Sequence, residues 1–428
     1  MMKKIFYFIT FFFIILFIII KYNFLNISEI IFQNLPIKSK VIVRTLKKND
    51  NNFWSITNNL FNDYNEKFIP ETQQINLKVK RKKLIFNESF EIDKPKIEFI
   101  VKKKDSQMTH FFSYFFDDTD NQLVISDYIG NIYFFDKKKL FSNTDEIILN
   151  KKKTNLQLDK VLDILIVDNY LYVSHGNLKE NSCYNWNISR ALISGEELEF
   201  DNIYSSKECS VQNFYQPYGG RIQKFSINDE NGLLITIGQN NPIKVKDNSI
   251  IGKILFIGFD NKEPKIISSG HRNTQGLWTD GTTILSTEHG PRGGDEINNI
   301  KINKNYGWPE ASYGEPYGPK NTEPKFAKDH FNFGYQEPIF TFLKAIGISE
   351  LIKLPNSFSN FWQNNFLVSS LWGHSLFRIK LDKKFEKLIF YEKIYIGQRI
   401  RDIMYLKEED AILVALEEKG EIGIITKN

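Results

Sequence analysis

From about residue 106 onward, the 428-residue sequence lacks helical periodicity of useful length. This lack argues against helix bundles and against folds that alternate strands with helices. Short apolar runs separated by turns are present instead, and three pairs read as hairpins, at 123–135, 366–379 and 411–425. Short strands without intervening helices are compatible with three all-β folds: a sandwich, a barrel or a propeller. The region is too long for one sandwich and divides into about six units of the size of a four-stranded propeller blade.

A strong charge of one sign is also missing. The net charge is +5, and it arises from lysine runs such as Lys102–Lys104 and Lys137–Lys139. Runs of this kind are typical of solvated loops, so we expect no nucleic-acid partner.

The N-terminal apolar run has no cleavage site of the small-x-small type after it. Ile5–Ile20 is interrupted only by Thr10, with lysines before it and Lys21 after it. We predict an uncleaved membrane anchor over 1–21, with a cleaved signal peptide as the alternative. The lysines before the run predict a cytoplasmic N-terminus and a single pass through the inner membrane, with the remainder in the periplasm.

Cysteine is scarce. Only Cys183 and Cys209 occur, and in an exported protein we expect them to form a disulfide. Two unpaired cysteines without a role are the alternative.

Residues 22–105 are interpreted as a tether and a small N-terminal region, in which Ile75–Lys80 alternates like a half-buried strand. The propeller is predicted over 106–428.

Several short segments carry most of the functional information. They combine cations, amides, tight glycine turns and adjacent carboxylates, a mixture that packing of a strand does not require. The segments are Gly219–Arg221, Asn231–Gly238, Gly252–Leu255, Gly270–Leu277, Ser286–Glu296, Asn305–Pro309 and Gln398–Ile403. In this order and spacing, from about Asn121 to Ile425, the sequence resembles the glucose/sorbosone dehydrogenase family of six-bladed β-propellers, which bind pyrroloquinoline quinone (PQQ) and calcium and oxidise sugars.

The resemblance implies a set of cofactor and metal positions. PQQ carries three carboxylates, which suit the fork of an arginine. The cofactor positions are Arg272, Asn273, Trp372, Arg399 and Arg401, with Trp372 at a place where some members have lysine. Calcium accepts carbonyl oxygens, and the implied ligands are the carbonyls of Gly290 and Pro291, on a loop supported by Asp295 and Glu296.

Two expectations within this set have alternatives. Arg399 and Arg401 should share a face of a strand, and the alternative to an anionic ligand is pairing with carboxylates such as Asp402. His271 and His289 are interpreted as buried, hydrogen-bonded histidines rather than metal ligands.

The family's catalytic base is missing from its usual position. The histidine that stands four residues before the arginine of the Gly219–Arg221 motif is Pro217 here, and the carboxylate that orients it is Gln239. Neither side chain accepts a hydroxyl proton as a base. Tyr218, Glu288 and His374 are candidate substitutes.

Three functions remain open at this point. The first is a membrane-anchored PQQ- and calcium-dependent sugar dehydrogenase facing the periplasm. The second is a degenerate propeller that binds a sugar-like ligand or a partner without oxidising it, and the third is a purely structural propeller. The sugar, the electron acceptor and the oligomeric state are not specified by the sequence.

Overall fold

The computed structural model describes residues 77–87, 113–179, 183–195, 197–210, 218–239, 245–317, 326–359 and 361–427. The predicted anchor at 1–21 and Pro217 lie outside these ranges. Within them, no helix combines the length and the apolar character that a membrane crossing requires.

The described residues form a six-bladed β-propeller, in agreement with the predicted all-β fold. Blade 1 contains β2 (Tyr114–Asp118), β3 (Gln122–Asp127) and β4 (Ile132–Asp136). Blade 2 contains β7 (Val161–Val167), β8 (Tyr170–Lys179), β9 (Cys183–Leu192) and β11 (Asp201–Ser210). Blade 3 contains β12 (Gly219–Ile227), β13 (Glu230–Ile237), β14 (Lys253–Gly258) and β15 (Lys265–Ser269), with β19 (Lys304–Asn305) at its edge.

The second half of the chain builds the other three blades. Blade 4 contains β16 (Thr274–Thr279), β17 (Ile284–Glu288), β18 (Asp295–Ile300) and β20 (Phe340–Phe342). Blade 5 contains β21 (Ile348–Lys353), β22 (Asn365–Ser370), β23 (Ser375–Leu381) and β24 (Leu388–Tyr395). Blade 6 contains β25 (Ile400–Leu406), β26 (Ala411–Leu416) and β27 (Glu421–Lys427).

Minor elements connect the blades. They are β5 (Glu146–Asn150), the paired short strands β6 (Lys153–Thr154) and β10 (Glu197–Leu198), helix α1 (Lys138–Phe141) and a 3-10 helix (Phe331–Phe333).

The ring is closed by a strand that precedes blade 1 in the sequence. β1 (Leu77–Asn87) pairs antiparallel with β27 of blade 6 and parallel with β5. Buried Lys82 on β1 donates hydrogen bonds from Nζ to the carbonyl oxygens of Ser142 (2.9 Å) and Thr144 (2.5 Å). The sequence assigned this strand to the small N-terminal region, and its pairing with β27 adds it to the sheet of blade 6.

Hydrophobic clusters lie at the interfaces between neighbouring blades. The alternation along β26 illustrates how one strand serves two interfaces: Leu413 packs with blade 1, whereas Ile412 and Val414 pack with blade 5. Alternate side chains of a strand point to opposite faces of its sheet. The first strands of the blades contact one another in cyclic order, β2, β7, β12, β16, β21, β25 and again β2, and thereby surround the central axis.

Candidate functional site

The predicted site residues collect at one end of the propeller. The first strands of the blades surround the central axis and run along it in the same direction, so all of them start at this end. Arg272 and Asn273 directly precede β16, and Arg399 directly precedes β25. The 288–295 loop and the 370–375 turn join the second and third strands of their blades, so they lie at the same end.

Arg399 and Arg401 converge on one buried carboxylate. Arg399 Nε lies 2.7 Å from Glu417 Oε1, and Arg401 Nε lies 2.8 Å from Glu417 Oε2. Burial alone would raise the pKa of Glu417, but the two guanidinium charges hold it at about 2. Both arginines thus have a carboxylate partner, which is Glu417 rather than the Asp402 considered from the sequence.

An amide links Arg401 to Asn273. Arg401 Nη1 donates to Gln275 Oε1 at 3.0 Å, and Gln275 Nε2 donates to Asn273 Oδ1 at 3.1 Å. Asn273 Oδ1 also accepts the backbone N–H of Gly219 at 3.0 Å. The cofactor positions of blades 4 and 6 thus belong to one hydrogen-bonded network.

Arg272 is buried without an ion pair among the described residues. Its Nη1 donates to the carbonyl of His289 at 3.0 Å, and the guanidinium carbon lies 5.4 Å from the ring centre of Trp308. Arg272 Nε and Trp308 Nε1 are buried donors that find no hydrogen-bond partner in the part of the chain that the structure describes. Burial lowers the pKa of Arg272. Unpaired buried donors are costly in the absence of a ligand.

His289 is buried within the electrostatic influence of Arg272, Arg399 and Arg401. Burial, followed by the charges of Arg272, Arg401 and Arg399, lowers the pKa of His289 to about 3. A neutral imidazole surrounded by three cations provides an environment suited to an anionic ligand.

The turn at Gly290–Pro291 is fixed from two sides. The Asp295 carboxylate accepts the N–H of Gly290 at 3.1 Å and that of Ile346 at 2.9 Å, which ties the loop to blade 5. Burial raises the pKa of Asp295 to about 6. On the other side, Tyr317 Oη donates to the carbonyl of Pro291 at 3.0 Å. Glu296 is buried and lines the small cavity that Arg272 and Gly290 also line.

His271 belongs to a buried network beneath Arg272. Its Nδ1 lies 2.9 Å from Glu288 Oε2, and its Nε2 lies 2.8 Å from Ser268 Oγ. Glu288 Oε1 also accepts the backbone N–H of Arg272 at 2.5 Å. Both Glu288 oxygens are therefore occupied, which disfavours Glu288 as a substitute base.

His374 pairs with a carboxylate beside the arginine network. Its Nε2 lies 3.3 Å from Glu418 Oε1, and Glu418 follows the carboxylate that holds Arg399. The His374 carbonyl accepts the N–H groups of Ile396 and Gly397, both at 2.9 Å. Nearby, the Trp372 side chain is exposed at the same turn.

Of the two positions where the family has its base and orienting carboxylate, the structure describes Gln239, and it also describes Tyr218, a candidate substitute base. Gln239 is buried, and its backbone N–H donates to the carbonyl of Arg272 at 2.5 Å. Tyr218 lies just before β12, and its carbonyl accepts the indole N–H of Trp186 at 2.9 Å. Among the described residues, no group of three or more histidine, cysteine or acidic side chains is arranged to hold a metal ion.

A buried arginine on the axis was not assigned a role from the sequence. Arg221 Nη1 lies 3.1 Å from Asp163, 3.0 Å from Glu350 and 3.1 Å from Asp402. Its Nε donates to the carbonyl of Gln275, its Nη2 donates to the carbonyl of Arg401, and its guanidinium lies 4.9 Å from the ring centre of Phe115. This one side chain therefore contacts the first strand of each of the other five blades, and it positions the backbone of Gln275 and Arg401 in the hydrogen-bonded network described above.

Bulges explain how these charges reach the axis. The register of the first strand shifts between Gly219 and Ile222, between Ile348 and Leu351, and between Ile400 and Ile403. A bulge redirects side chains next to a site. The sequence did carry a signal for Arg221, because a charged residue stands just inside an apolar strand. This residue was interpreted from the sequence only as part of the Gly219–Arg221 blade motif.

The cysteines lie at the ends of neighbouring strands. Cys183 on β9 and Cys209 on β11 form a disulfide with a Cα–Cα distance of 5.7 Å.

Comparison with known proteins identifies the family. The model of the glucose / sorbosone dehydrogenase family matches residues 114–425. Aldose sugar dehydrogenase YliI of Escherichia coli is 29% identical over 228 residues, 48% of this chain and 58% of that protein. The chain spans less than two thirds of the length of the curated relatives that it matches.

Solved structures support the same fold. A crystal structure of glucose dehydrogenase matches with a TM-score of 0.62 at 21% identity, over 75% of this chain and 97% of that one. The PQQ-bound form of aldose sugar dehydrogenase from Streptomyces coelicolor matches with a TM-score of 0.55 at 18% identity, over 83% of this chain and 100% of that one. The chain belongs to the glucose/sorbosone dehydrogenase family.

Proposed function

We propose that the propeller binds PQQ and calcium and oxidises aldose sugars. The observation that carries this proposal is buried Arg272, which has no ion pair among the described residues and whose Nε lacks a partner. An anionic cofactor would supply the missing acceptor. Asn273, Trp372, Arg399 and Arg401 would complete its surroundings.

The calcium ion would be held by backbone oxygen atoms. The carbonyls of Gly290 and Pro291 are the candidate ligands, and the Asp295 carboxylate fixes their loop. The cofactor held there would supply the hydride-accepting quinone for the sugar, and a calcium ion at this turn would polarise its carbonyl.

His374 is the substitute base that the geometry supports best. If its Nε2–H donates to Glu418, its Nδ1 is an acceptor for the proton of a sugar hydroxyl. This arrangement provides the imidazole–carboxylate pair that Pro217 and Gln239 do not. Glu288 is already engaged by His271 and by the backbone N–H of Arg272.

A second candidate is a propeller that binds its ligand without oxidising it. Buried Gln239, a neutral amide at the position of the family's orienting carboxylate, favours this reading. Steady-state oxidation of an aldose panel with PQQ, calcium and a dye acceptor separates the two. Dehydrogenase function predicts turnover that falls about 10²- to 10⁴-fold in His374→Asn with cofactor binding retained. Binding of PQQ without any turnover would support the second candidate instead.

The location of the protein is a separate proposal. We infer that residues 1–21 anchor the chain in the inner membrane and that the propeller faces the periplasm. The apolar run Ile5–Ile20 and the disulfide support this, because disulfides persist in oxidising compartments. A periplasm-dependent reporter fused after Asn428 should be active, and activity of a cytoplasm-dependent reporter would refute the inference.

A further inference from the structure

A cavity of about 330 Å³ lies beside blade 3, on the outer side of the candidate cofactor site. Its walls come from the 245–253 segment, the end of β15 and the 303–310 segment. Trp308 also lines the small cavity next to Arg272, so the two spaces share a wall. Pockets for small molecules begin at about 300 Å³. The volume therefore suits a ligand of monosaccharide size.

Lys253 is the unusual residue in this cavity. It starts β14, pairs with Ile237 and Ser269, and is only 7% exposed. Its Nζ has no hydrogen-bond or ion-pair partner within the described parts of the chain, although the residue lines the cavity. Packing at the start of a buried strand requires no ammonium group, and this residue, although mostly covered, lines the cavity. The ammonium is therefore positioned for an anion that enters the cavity.

The nearby carboxylates do not replace that anion. Glu208 accepts hydrogen bonds from Ser249 Oγ at 2.6 Å and from the N–H of Ile250 at 2.8 Å. Asp247 lines the cavity but makes no ion pair with Lys253. Burial lowers the pKa of Lys253, while the charges of Asp247 and Glu208 act in the opposite direction.

The remaining walls suit a polyol. Trp308 and Tyr335 contribute aromatic rings, Asn303 and Gln239 contribute amides, and Ser269 contributes a hydroxyl group. An apolar ring face next to amide and hydroxyl groups matches the two kinds of surface on a sugar, its C–H face and its hydroxyl rim.

We propose that this cavity binds a small carbohydrate with one anionic group, a sugar acid or a sugar phosphate, whose anion contacts Lys253 Nζ. The site requires neither PQQ nor calcium, and it is distinct from the space around Arg272. Its existence is therefore independent of the proposed dehydrogenase activity.

Isothermal titration calorimetry of the full chain, without PQQ or calcium, tests this proposal with gluconate, glucose 6-phosphate and neutral glucose. A charge-assisted contact predicts that at least one anion binds about 10- to 100-fold more tightly than glucose. Preferential binding of gluconate would indicate a carboxylate ligand, and preferential binding of glucose 6-phosphate would indicate a phosphate ligand. Lys253→Gln should remove this preference, Lys253→Arg should retain it, and Lys262→Gln, at an exposed turn of the same blade, should change nothing.

A second variant covers the case in which Lys253→Gln fails to fold. Ser269→Glu places a carboxylate on the strand position opposite Lys253, so it should abolish anion binding while the thermal midpoint is maintained or raised. The proposal is overturned if neither anion binds better than glucose, or if folded Lys253→Gln or Ser269→Glu protein retains the preference.

Discussion

Replacing Arg221 with methionine should destabilise the propeller more than any exposed charge change. Removing one partner of a buried ion pair costs about 3 to 5 kcal/mol because the remaining charges stay buried. The substitution also removes the donor to the Gln275 carbonyl, and an unsatisfied buried acceptor costs about 1 to 3 kcal/mol more. The Arg401 carbonyl retains its bond from Ser349 Oγ at 2.6 Å. We therefore expect a loss of about 4 to 8 kcal/mol in the free energy of unfolding.

The effect should grow with pH. Burial raises the pKa of Asp163 to about 7 and that of Glu350 to about 8, and it also raises the pKa of Asp402, with Arg221 opposing each shift. The folded state therefore holds protons that the unfolded chain releases, and stability falls as the pH rises from about 4 to 8. Without the guanidinium group these pKa values rise further, so Arg221→Met should lose more stability at pH 7.5 than at pH 5.

Urea unfolding at both pH values measures the difference, with Lys224→Met as the matched control. Lys224 lies on the same strand and pairs with Asp168 at 3.0 Å, but the two side chains are 47% and 76% exposed. An exposed pair contributes about 0 to 1 kcal/mol. If Arg221→Met costs no more than this control at pH 7.5, the interpretation of Arg221 as an axial link between blades is wrong.

Three further outcomes are expected. Replacing Cys183 and Cys209 with serine opens a link across 26 positions, which should cost about 3 to 4 kcal/mol of unfolding free energy and make the wild-type midpoint, but not that of the mutant, sensitive to reductant. Glu417→Gln should lower stability at pH 7, and because the folded pKa is about 2, the wild-type advantage should disappear as the pH falls from about 4.5 towards 2 in acid unfolding. Asp295→Asn turns an amide donor towards the N–H of Gly290 or Ile346, so it should lower the free energy of unfolding by about 1 to 3 kcal/mol. It should also weaken calcium binding in a chelator competition. Unchanged calcium affinity would argue against the support of the loop by Asp295.

The blade architecture was accessible from the sequence because it depends on local pattern. Alternation with a period of two and regular turn signals predict short antiparallel strands. The closing strand was not accessible in the same way. The sequence around Ile75–Lys80 predicts a strand, but its partner β27 lies more than 300 positions away, and no local signal specifies that pairing.

The candidate site was predictable by residue type but not by partner. The two arginines around Ile400 were expected to share a face, and both bind Glu417. Glu417 itself was missed, since a glutamate that follows an apolar strand normally reads as the start of an exposed turn. Arg221 was missed for a related reason: its three carboxylates come from three different blades, and a bulge in its own strand breaks the alternation that would have predicted its direction.

We propose that the cations at the end of the propeller hold an anionic quinone. The most direct measurement is an absorbance titration of the purified chain with PQQ in the presence of calcium, compared with Arg272→Gln and the exposed control Lys262→Gln. We predict saturable binding of one PQQ per chain, weakened about tenfold or more in Arg272→Gln and unchanged in Lys262→Gln. Absence of saturable binding to the wild-type chain, or equal binding by Arg272→Gln, would contradict the account.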